Sequence, residues 1–174
     1  MSTNNFHYPE PTEYLPYYGK YISLVPKAAI LETLQQQNRD TLTLLRGLSE
    51  EQGAHCYAPG KWSIKEVVGH IIDTERIFAY RALRFSRNDK KELEGFDQDP
   101  YVQFGNFDNY TLNELVDEFD CVRRSTLYLL RHLSDEAWTR RGVASDAEVS
   151  VRALAYIIAG HELHHERILR EKYL

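Results

Sequence analysis

The sequence contains few cysteines, no basic run and no long apolar stretch, and each scarcity excludes a class of protein. Its two cysteines, Cys56 and Cys121, form no CxxC pair, which fits free thiols in a reducing compartment rather than a disulfide scaffold. No apolar run approaches the roughly 18 residues that a membrane-spanning helix needs. Residues 1–5 lack the basic and apolar parts of a signal peptide. We therefore expect a cytoplasmic protein without a membrane partner.

Charge and length restrict the protein further. The chain carries 21 lysines and arginines against 26 aspartates and glutamates, a net charge of -5, with both signs interspersed. Because no basic stripe is present, nucleic acid is not an expected partner. A chain of 174 residues can bury one ordinary core. We expect a single domain over residues 1–174, in which 1–26, rich in tyrosine and proline, form an irregular extension packed on the outside.

Apolar residues recur with the period of helices rather than with that of strands. Ser63 with Glu66, and Thr111 with Glu114, have the spacing of capping boxes that open two helices, and Pro26 fits the start of another. Four amphipathic helices are predicted, at about 27–47, 63–86, 111–133 and 150–172. The expected fold class is all-α, a four-helix bundle.

An internal similarity suggests how the four helices are related. The segment Leu44–Glu51 resembles Leu129–Glu136, and each precedes a loop that leads into another helix. We interpret the chain as two related helix pairs with long connecting loops, 48–62 and 133–149, each holding a short helical turn. A long link, 87–108, joins the two pairs. Chance similarity between two amphipathic helix ends is the alternative.

Two histidines on the last predicted helix are the most informative residues. His161 and His165 are four positions apart, so they share one helix face, and helical phase places both within an apolar stripe. With Glu162 they match the letters of the zinc-protease pattern. The longer form of that pattern fails, because Ile168 and Glu171 stand where a glycine and a further histidine are needed. The pair therefore indicates a metal site of another kind.

His70 is the best candidate for a third ligand. It lies at the edge of the apolar face of the capped helix 63–86. Three histidines leave coordination positions open, which is typical of catalytic rather than structural zinc. The alternative is that His161 and His165 are ordinary core histidines bonded to carboxylates or carbonyl groups. Other candidate ligands have weaker support from the sequence: His7, His55, Cys56, His132 and His164.

Charged residues beside these histidines are candidates for supporting roles. Asp73 follows His70 by three residues and Glu162 adjoins His161, so either could orient an imidazole or transfer a proton. Arg81 is a candidate for binding an anionic group of a substrate. For Glu162 and Arg81 the alternative is the solvated face of a helix.

These motifs resemble the DinB/YfiT-like family of metalloenzymes. The similarity is most specific at 61–70, which includes His70, and at 160–165, while 81–85 and 95–99 look like the YfiT-like sub-group. The resemblance implies a four-helix bundle that binds a divalent metal, zinc or nickel, through His70, His161 and His165. Many members are dimers, so a homodimer is one expectation for this chain.

The resemblance specifies the fold more closely than it specifies the reaction. The wider superfamily includes thiol-dependent transferases and isomerases as well as proteins regarded as hydrolases. We expect a metal-dependent enzyme for a small-molecule substrate, either a hydrolase or a transferase that uses a low-molecular-weight thiol. The alternative is a non-catalytic helical module with a structural metal. A metal that only joins helices should have a fourth protein ligand, whereas a catalytic one should not.

Overall fold

The protein is helical throughout most of its length, and the computed structural model describes residues 8–174. Within that range the helices are α1 (Gly19–Ile22), α2 (Ile30–Arg46), α3 (Glu50–Gly53), α4 (Ile64–Ser86), α5 (Gln98–Gly105), α6 (Leu112–Arg131), α7 (Asp135–Thr139) and α8 (Val151–Ile168). Short 3-10 turns occupy Pro11–Glu13, Pro16–Tyr18 and Phe107–Asn109, and a π-helical turn, Leu169–Tyr173, ends the chain. The predicted all-α bundle is confirmed.

The four long helices α2, α4, α6 and α8 form the bundle. Helix α2 packs against α6 and α8, and α4 also packs against α6 and α8. Going round the bundle, the order is therefore α2, α6, α4, α8, with α2 diagonally opposite α4 and α6 diagonally opposite α8. This order makes α4 and α8 direct neighbours, although 64 residues separate the end of the first from the start of the second. The two histidine-bearing helices thus lie side by side.

Local capping explains where the helices begin. Ser63 Oγ accepts from Glu66 N at 3.1 Å, and Glu66 Oε2 accepts from Ser63 N at 2.6 Å, so the predicted capping box of α4 is confirmed. The box of Thr111 and Glu114 at α6 is confirmed in the same way. The predicted start of the first helix at Pro26 is wrong. Helix α2 begins at Ile30, and the residue before it, Ala29, has an extended backbone.

A β-hairpin is the main departure from the sequence prediction. Strand β1 (Arg141–Ala144) pairs antiparallel with β2 (Ala147–Ser150), and Ser145 and Asp146 form the turn with positive φ of 55° and 60°. Such a two-residue turn matches the twist of the strands. The strands escaped prediction because they are four residues long and contain small residues rather than alternating branched ones.

The connecting segments are otherwise partly as expected. The short helical turns predicted in 48–62 and 133–149 are confirmed as α3 and α7. The long link 87–108 contains α5, which is capped by the Asp97 side chain. Its Pro100 lies in the first turn of that helix, where proline is tolerated.

The core consists of two apolar clusters. One surrounds α8 and includes Leu34, Phe78 and Ile157, while the other lies between α4 and α6 and includes Ile71 and Phe119. Tyrosines of residues 8–26 pack against the first cluster. His7 and the start of the chain, 1–5, lie outside the described residues. No described helix combines the length and the apolar character that crossing a membrane requires.

Candidate metal centre

The structure brings the three predicted histidines together. His70 lies in the middle of α4, and His161 and His165 occupy successive turns of α8; their exposed fractions are 3, 6 and 9 %. His161 Nε2 lies 3.0 Å from His70 Nε2 and 3.2 Å from His165 Nε2. The ring nitrogens that could bind a metal all lie within 4.8 Å of one another. Three imidazole edges therefore converge on one point between the two helices.

The convergence fits a cation better than it fits hydrogen bonding among the rings. A neutral imidazole offers one N–H and one in-plane lone pair, so His161 Nε2 cannot make a good hydrogen bond to both neighbours. Two nitrogens that are each ~2.0–2.1 Å from a tetrahedral zinc lie ~3.3 Å apart. The observed separations of 3.0 and 3.2 Å are close to that value. These residues thus fit a divalent metal held by three histidines.

Burial also sets the protonation state that metal binding needs. It lowers the pKa of His70 to about 4. Burial, with the nearby charges of His70 and His164, lowers the pKa of His165 to about 3. Burial likewise places the pKa of His161 well below its usual value. All three rings are therefore neutral at pH 7, the form in which imidazole nitrogen binds metal.

Two glycines let neighbouring segments of the chain pack closely against the histidine-bearing helices. Gly160 precedes His161, and a Cβ built there would lie 2.1 Å from the carbonyl oxygen of Tyr21. Gly69 precedes His70, and a Cβ there would lie 2.3 Å from the Phe107 ring. Real Cβ atoms do not approach other atoms so closely, so each glycine lets a neighbouring segment pack beside a histidine.

Replacement of Gly160 by alanine should therefore destabilise the protein by about 1–3 kcal/mol, the usual cost of overpacking, and should weaken zinc binding. The added methyl group must push α1 away from α8 at the position next to His161. Gly19→Ala is a matched control, because its Cβ would meet only Tyr14, at 3.9 Å. Urea unfolding and zinc titration of both variants measure the effect. Equal stability of the two variants would contradict this interpretation of the packing.

Two cavities of about 400 Å³ each reach the histidine cluster. The first, which we name the aromatic cavity, extends to His70 and His161. Its other walls include Tyr17, Tyr18, Tyr21, Phe78, Phe96 and Asp99. The second, which we name the Lys61 cavity, extends to His165, and its walls include Tyr57, Lys61, Trp62, Tyr173 and Asp99. The cluster is thus buried from bulk solvent but accessible to a small molecule.

The cluster holds three protein ligands and no more among residues 8–174. Within that part of the chain, no other histidine, cysteine or carboxylate joins the group of mutually close ligand atoms. Cys56 is exposed, the His55 ring lies edge-on to the Tyr173 ring, and His132 caps the end of α6. His164 packs against the Tyr21 ring. A metal held by these three histidines would have no fourth ligand from residues 8–174, so a water molecule or a substrate atom could complete its coordination.

Glu162 belongs to a buried ion-pair network that spans all four long helices. Its side chain is 1 % exposed; one carboxylate oxygen accepts from Thr41 Oγ1 of α2 at 2.7 Å, and the other accepts from Arg123 Nη2 of α6 at 2.7 Å. The same Arg123 nitrogen donates to Glu75 of α4 at 2.8 Å. Burial raises the pKa of the Glu162 carboxyl against the attraction of Arg123. Glu162 thus faces away from solvent and is engaged by the network.

Asp73 and Arg81 lie on α4 but away from the histidine nitrogens. Asp73 is partly exposed and faces Arg76, whose guanidinium lies 3.6 Å from it and 2.6 Å from Glu118. Burial raises the pKa of the Asp73 carboxyl despite Arg76. The buried Arg81 donates to Ser145 Oγ and to the Glu94 carbonyl oxygen, both at 3.0 Å. It therefore joins α4 to the hairpin turn and to the preceding link.

Arg123 and Glu75 were not singled out by the sequence analysis. Helical phase could have found them, since Arg123 lies four residues after Phe119 and seven before Leu130 on the apolar face of α6. Glu75 likewise lies four residues after Ile71. Their mutual contact could not have been predicted, because it depends on the order of helices around the bundle.

A sequence model of the DinB superfamily matches residues 33–169. Among solved structures, the chain is similar to YfiT from Bacillus subtilis, described as a probable metal-dependent hydrolase with an unusual four-helix bundle topology. The two are 14 % identical, with a TM-score of 0.65 over 94 % of this chain and 93 % of YfiT.

A second similar structure is the DinB-like protein YjoA from Bacillus subtilis. It is 22 % identical, with a TM-score of 0.60 over 81 % of this chain and 86 % of YjoA. No curated protein matches the chain significantly. At such identities the structural similarity shows the fold alone.

Proposed function

The chain belongs to the DinB superfamily, and on that premise we propose that it is a metal-dependent enzyme acting on a small molecule. The reaction is either hydrolysis or transfer of a low-molecular-weight thiol to an electrophile. The metal is zinc or nickel, bound by His70, His161 and His165. The single observation that carries this proposal is a buried three-histidine cluster with no fourth protein ligand among residues 8–174.

Each part of the site has a task in this proposal. A divalent metal at the cluster supplies Lewis-acid chemistry, by which it acidifies a water or thiol and polarises a substrate oxygen. The histidine rings, neutral because they are buried, hold the metal without cancelling its charge. The Thr74 hydroxyl lies 3.5 Å from His70 Nδ1, the nitrogen that faces away from the cluster. The aromatic cavity positions the substrate and excludes bulk water.

Each of the two reaction classes has one observation in its favour. The description of YfiT as a probable metal-dependent hydrolase supports hydrolysis. The presence of two separate cavities beside one cluster supports a reaction with two substrates, as thiol transfer requires. Asp73 and Glu162 remain proposed proton-transfer residues from sequence, and Arg81 a proposed anion-binding residue, although all three are engaged by other side chains or backbone groups.

The competing proposal is a helical module in which the metal is purely structural. Structural zinc is almost always enclosed by four protein ligands. The cluster of three histidines that two cavities reach does not favour that arrangement.

The test compares wild type with His70→Ala after loading with zinc or nickel, on panels of esters, amides and electrophiles with a thiol. We expect turnover by wild type and a loss of at least about 100-fold in the variant, because removal of a metal ligand removes the Lewis acid. His132→Ala is the matched control, since it deletes an exposed histidine outside the cluster. Equal rates in wild type and His70→Ala would contradict the proposal. So would an absence of turnover on every panel together with four protein ligands to the metal in X-ray absorption spectra.

A further inference from the structure

The aromatic cavity and the Lys61 cavity have one lining residue in common, Asp99. One cavity reaches His70 and His161 and the other reaches His165, so both lead to the same histidine cluster. A substrate that enters by either route therefore meets a wall to which Asp99 contributes. Among residues 8–174, the carboxylates that line these two cavities are Asp99, which lines both, and Asp97, which lines the aromatic cavity and whose side chain accepts the Asp99 backbone N–H.

Local structure holds Asp99 in place without using its carboxylate. Asp99 is the second residue of α5, and its backbone N–H donates to the Asp97 side chain at 3.1 Å. Pro100 follows and restricts the backbone further. Helix α5 packs against α4, the helix that carries His70. Asp99 is exposed to solvent, and within residues 8–174 no hydrogen bond or ion pair engages its carboxylate.

Glu162 and Asp73, the carboxylates that the sequence predicts as proton-transfer residues, lie elsewhere. Glu162 is held by Arg123 and Thr41 in the interior of the bundle, and Asp73 faces Arg76. Neither lines the aromatic cavity or the Lys61 cavity. Proton transfer needs a group within hydrogen-bond reach of the reacting atom, directly or through one water. Asp99 lines both cavities, so of the three carboxylates it is the one placed to meet a substrate there.

We propose that Asp99 is a catalytic residue, the general base and acid of the metal-dependent reaction; this inference rests on the proposed function. As the attacking water or thiol forms its bond to the electrophilic atom of the substrate, its O–H or S–H proton passes to the Asp99 carboxylate. As the bond to the leaving atom breaks, the electron pair stays with that atom, and Asp99 returns the proton to it. Charge and protons balance over the cycle, and no further reactant is needed.

The first test is the rate of the zinc-loaded full chain carrying Asp99→Asn, on whichever ester, amide or electrophile-plus-thiol probe the wild type turns over. Loss of a general base lowers kcat by about 10²–10⁴-fold, and we expect zinc stoichiometry and affinity to be unchanged. The limb of the pH–rate profile that reports the base should disappear. Asp135→Asn is the matched control, because Asp135 is an exposed first-turn aspartate of another short helix, α7.

A second readout does not depend on turnover. In the cobalt-substituted protein, the pH midpoint of the visible spectrum reports proton loss at the fourth coordination position. A nearby ionised carboxylate opposes that proton loss. Asp99→Asn should therefore shift the midpoint to lower pH by about half a unit or more, an effect within the usual range for a neighbouring charge. Asp135→Asn should leave the midpoint unchanged.

The outcomes separate this inference from the proposed function. An active wild type with an equally active Asp99→Asn variant, or an unshifted cobalt midpoint, overturns the role of Asp99 alone. A loss of zinc affinity of tenfold or more in Asp99→Asn shows a metal ligand instead of a proton acceptor, and also overturns it. A wild type that binds zinc through four protein ligands and turns over no probe rejects the proposed function, and the proton-transfer role with it. A slow variant with a shifted midpoint and unchanged zinc binding supports both.

Discussion

Replacement of Arg123 by methionine should lower the free energy of unfolding by about 3–5 kcal/mol, the cost of breaking a buried ion pair by removing one partner. Arg123 is fully buried and donates hydrogen bonds to Glu75 and Glu162, and to the Leu34 carbonyl oxygen of α2 at 3.2 Å. Without the guanidinium, two carboxylates remain in the interior with no cation. Because these partners come from α2, α4 and α8, loss of the Arg123 hydrogen bonds should destabilise the packing of all four long helices. Urea unfolding followed by circular dichroism measures it.

Arg124→Met is the matched control for this substitution. Arg124 is the next residue on α6, its side chain is 63 % exposed, and its nearest carboxylate oxygen, on Asp120, is 3.8 Å away. Such surface pairs contribute about 0–1 kcal/mol. If Arg123→Met fails to fold, Arg123→Lys keeps the charge but loses the two-pronged hydrogen bonding and should show a smaller loss. A loss below about 1 kcal/mol for Arg123→Met, near the value for a surface pair, would contradict the importance assigned to the network.

Removal of the metal by chelation should lower the melting temperature while leaving the helical spectrum intact. A ligand present at 1,000 times its dissociation constant stabilises the native state by ~4 kcal/mol, and chelation removes that contribution. The helices should persist, because the apolar clusters around α8 and between α4 and α6 do not depend on the metal. Thermal melts by circular dichroism, before and after treatment with a chelator, measure both quantities.

A complete loss of helicity on chelation would contradict that expectation. It would show that the metal holds the fold together, as in small metal-dependent domains, and would favour the structural role. The Arg123→Met variant offers a comparison, since it should lower stability whether or not metal is bound. A melting temperature that does not respond to chelation in the wild type would instead show that no stabilising metal was present.

The sequence predicted the parts of the fold that depend on local chemistry. The two capping boxes appear at Ser63 and Thr111, where the spacing to a glutamate three residues later indicated them. The hairpin at 141–150 was missed because its turn, Ser145–Asp146, lacks the glycine that usually marks a two-residue turn. Its strands also gain stability from packing, since Gly142 lies against the Phe85 ring, a contact no local pattern reveals.

In the candidate site, too, local pattern predicted some residues, whereas the positions of others depend on tertiary packing. Helical phase alone placed His161 and His165 on one buried face, and the capped helix placed His70 at the margin of another. The engagement of Glu162 could not be predicted, because Thr41 and Arg123 are 121 and 39 residues away in sequence. Asp99 was overlooked for a related reason. Its position between two cavities follows from the packing of α5 against α4.

Zinc binding by the purified protein is the most direct test of the metal centre. Elemental analysis and zinc titration should give one zinc per chain in the wild type, with each histidine nitrogen ~2.0–2.1 Å from the metal in X-ray absorption spectra. The His161→Ala/His165→Ala double variant should fold, because its helices retain their apolar faces, and should bind no zinc at the same concentration. Full zinc occupancy in that double variant would contradict the assignment of His70, His161 and His165 as the metal ligands.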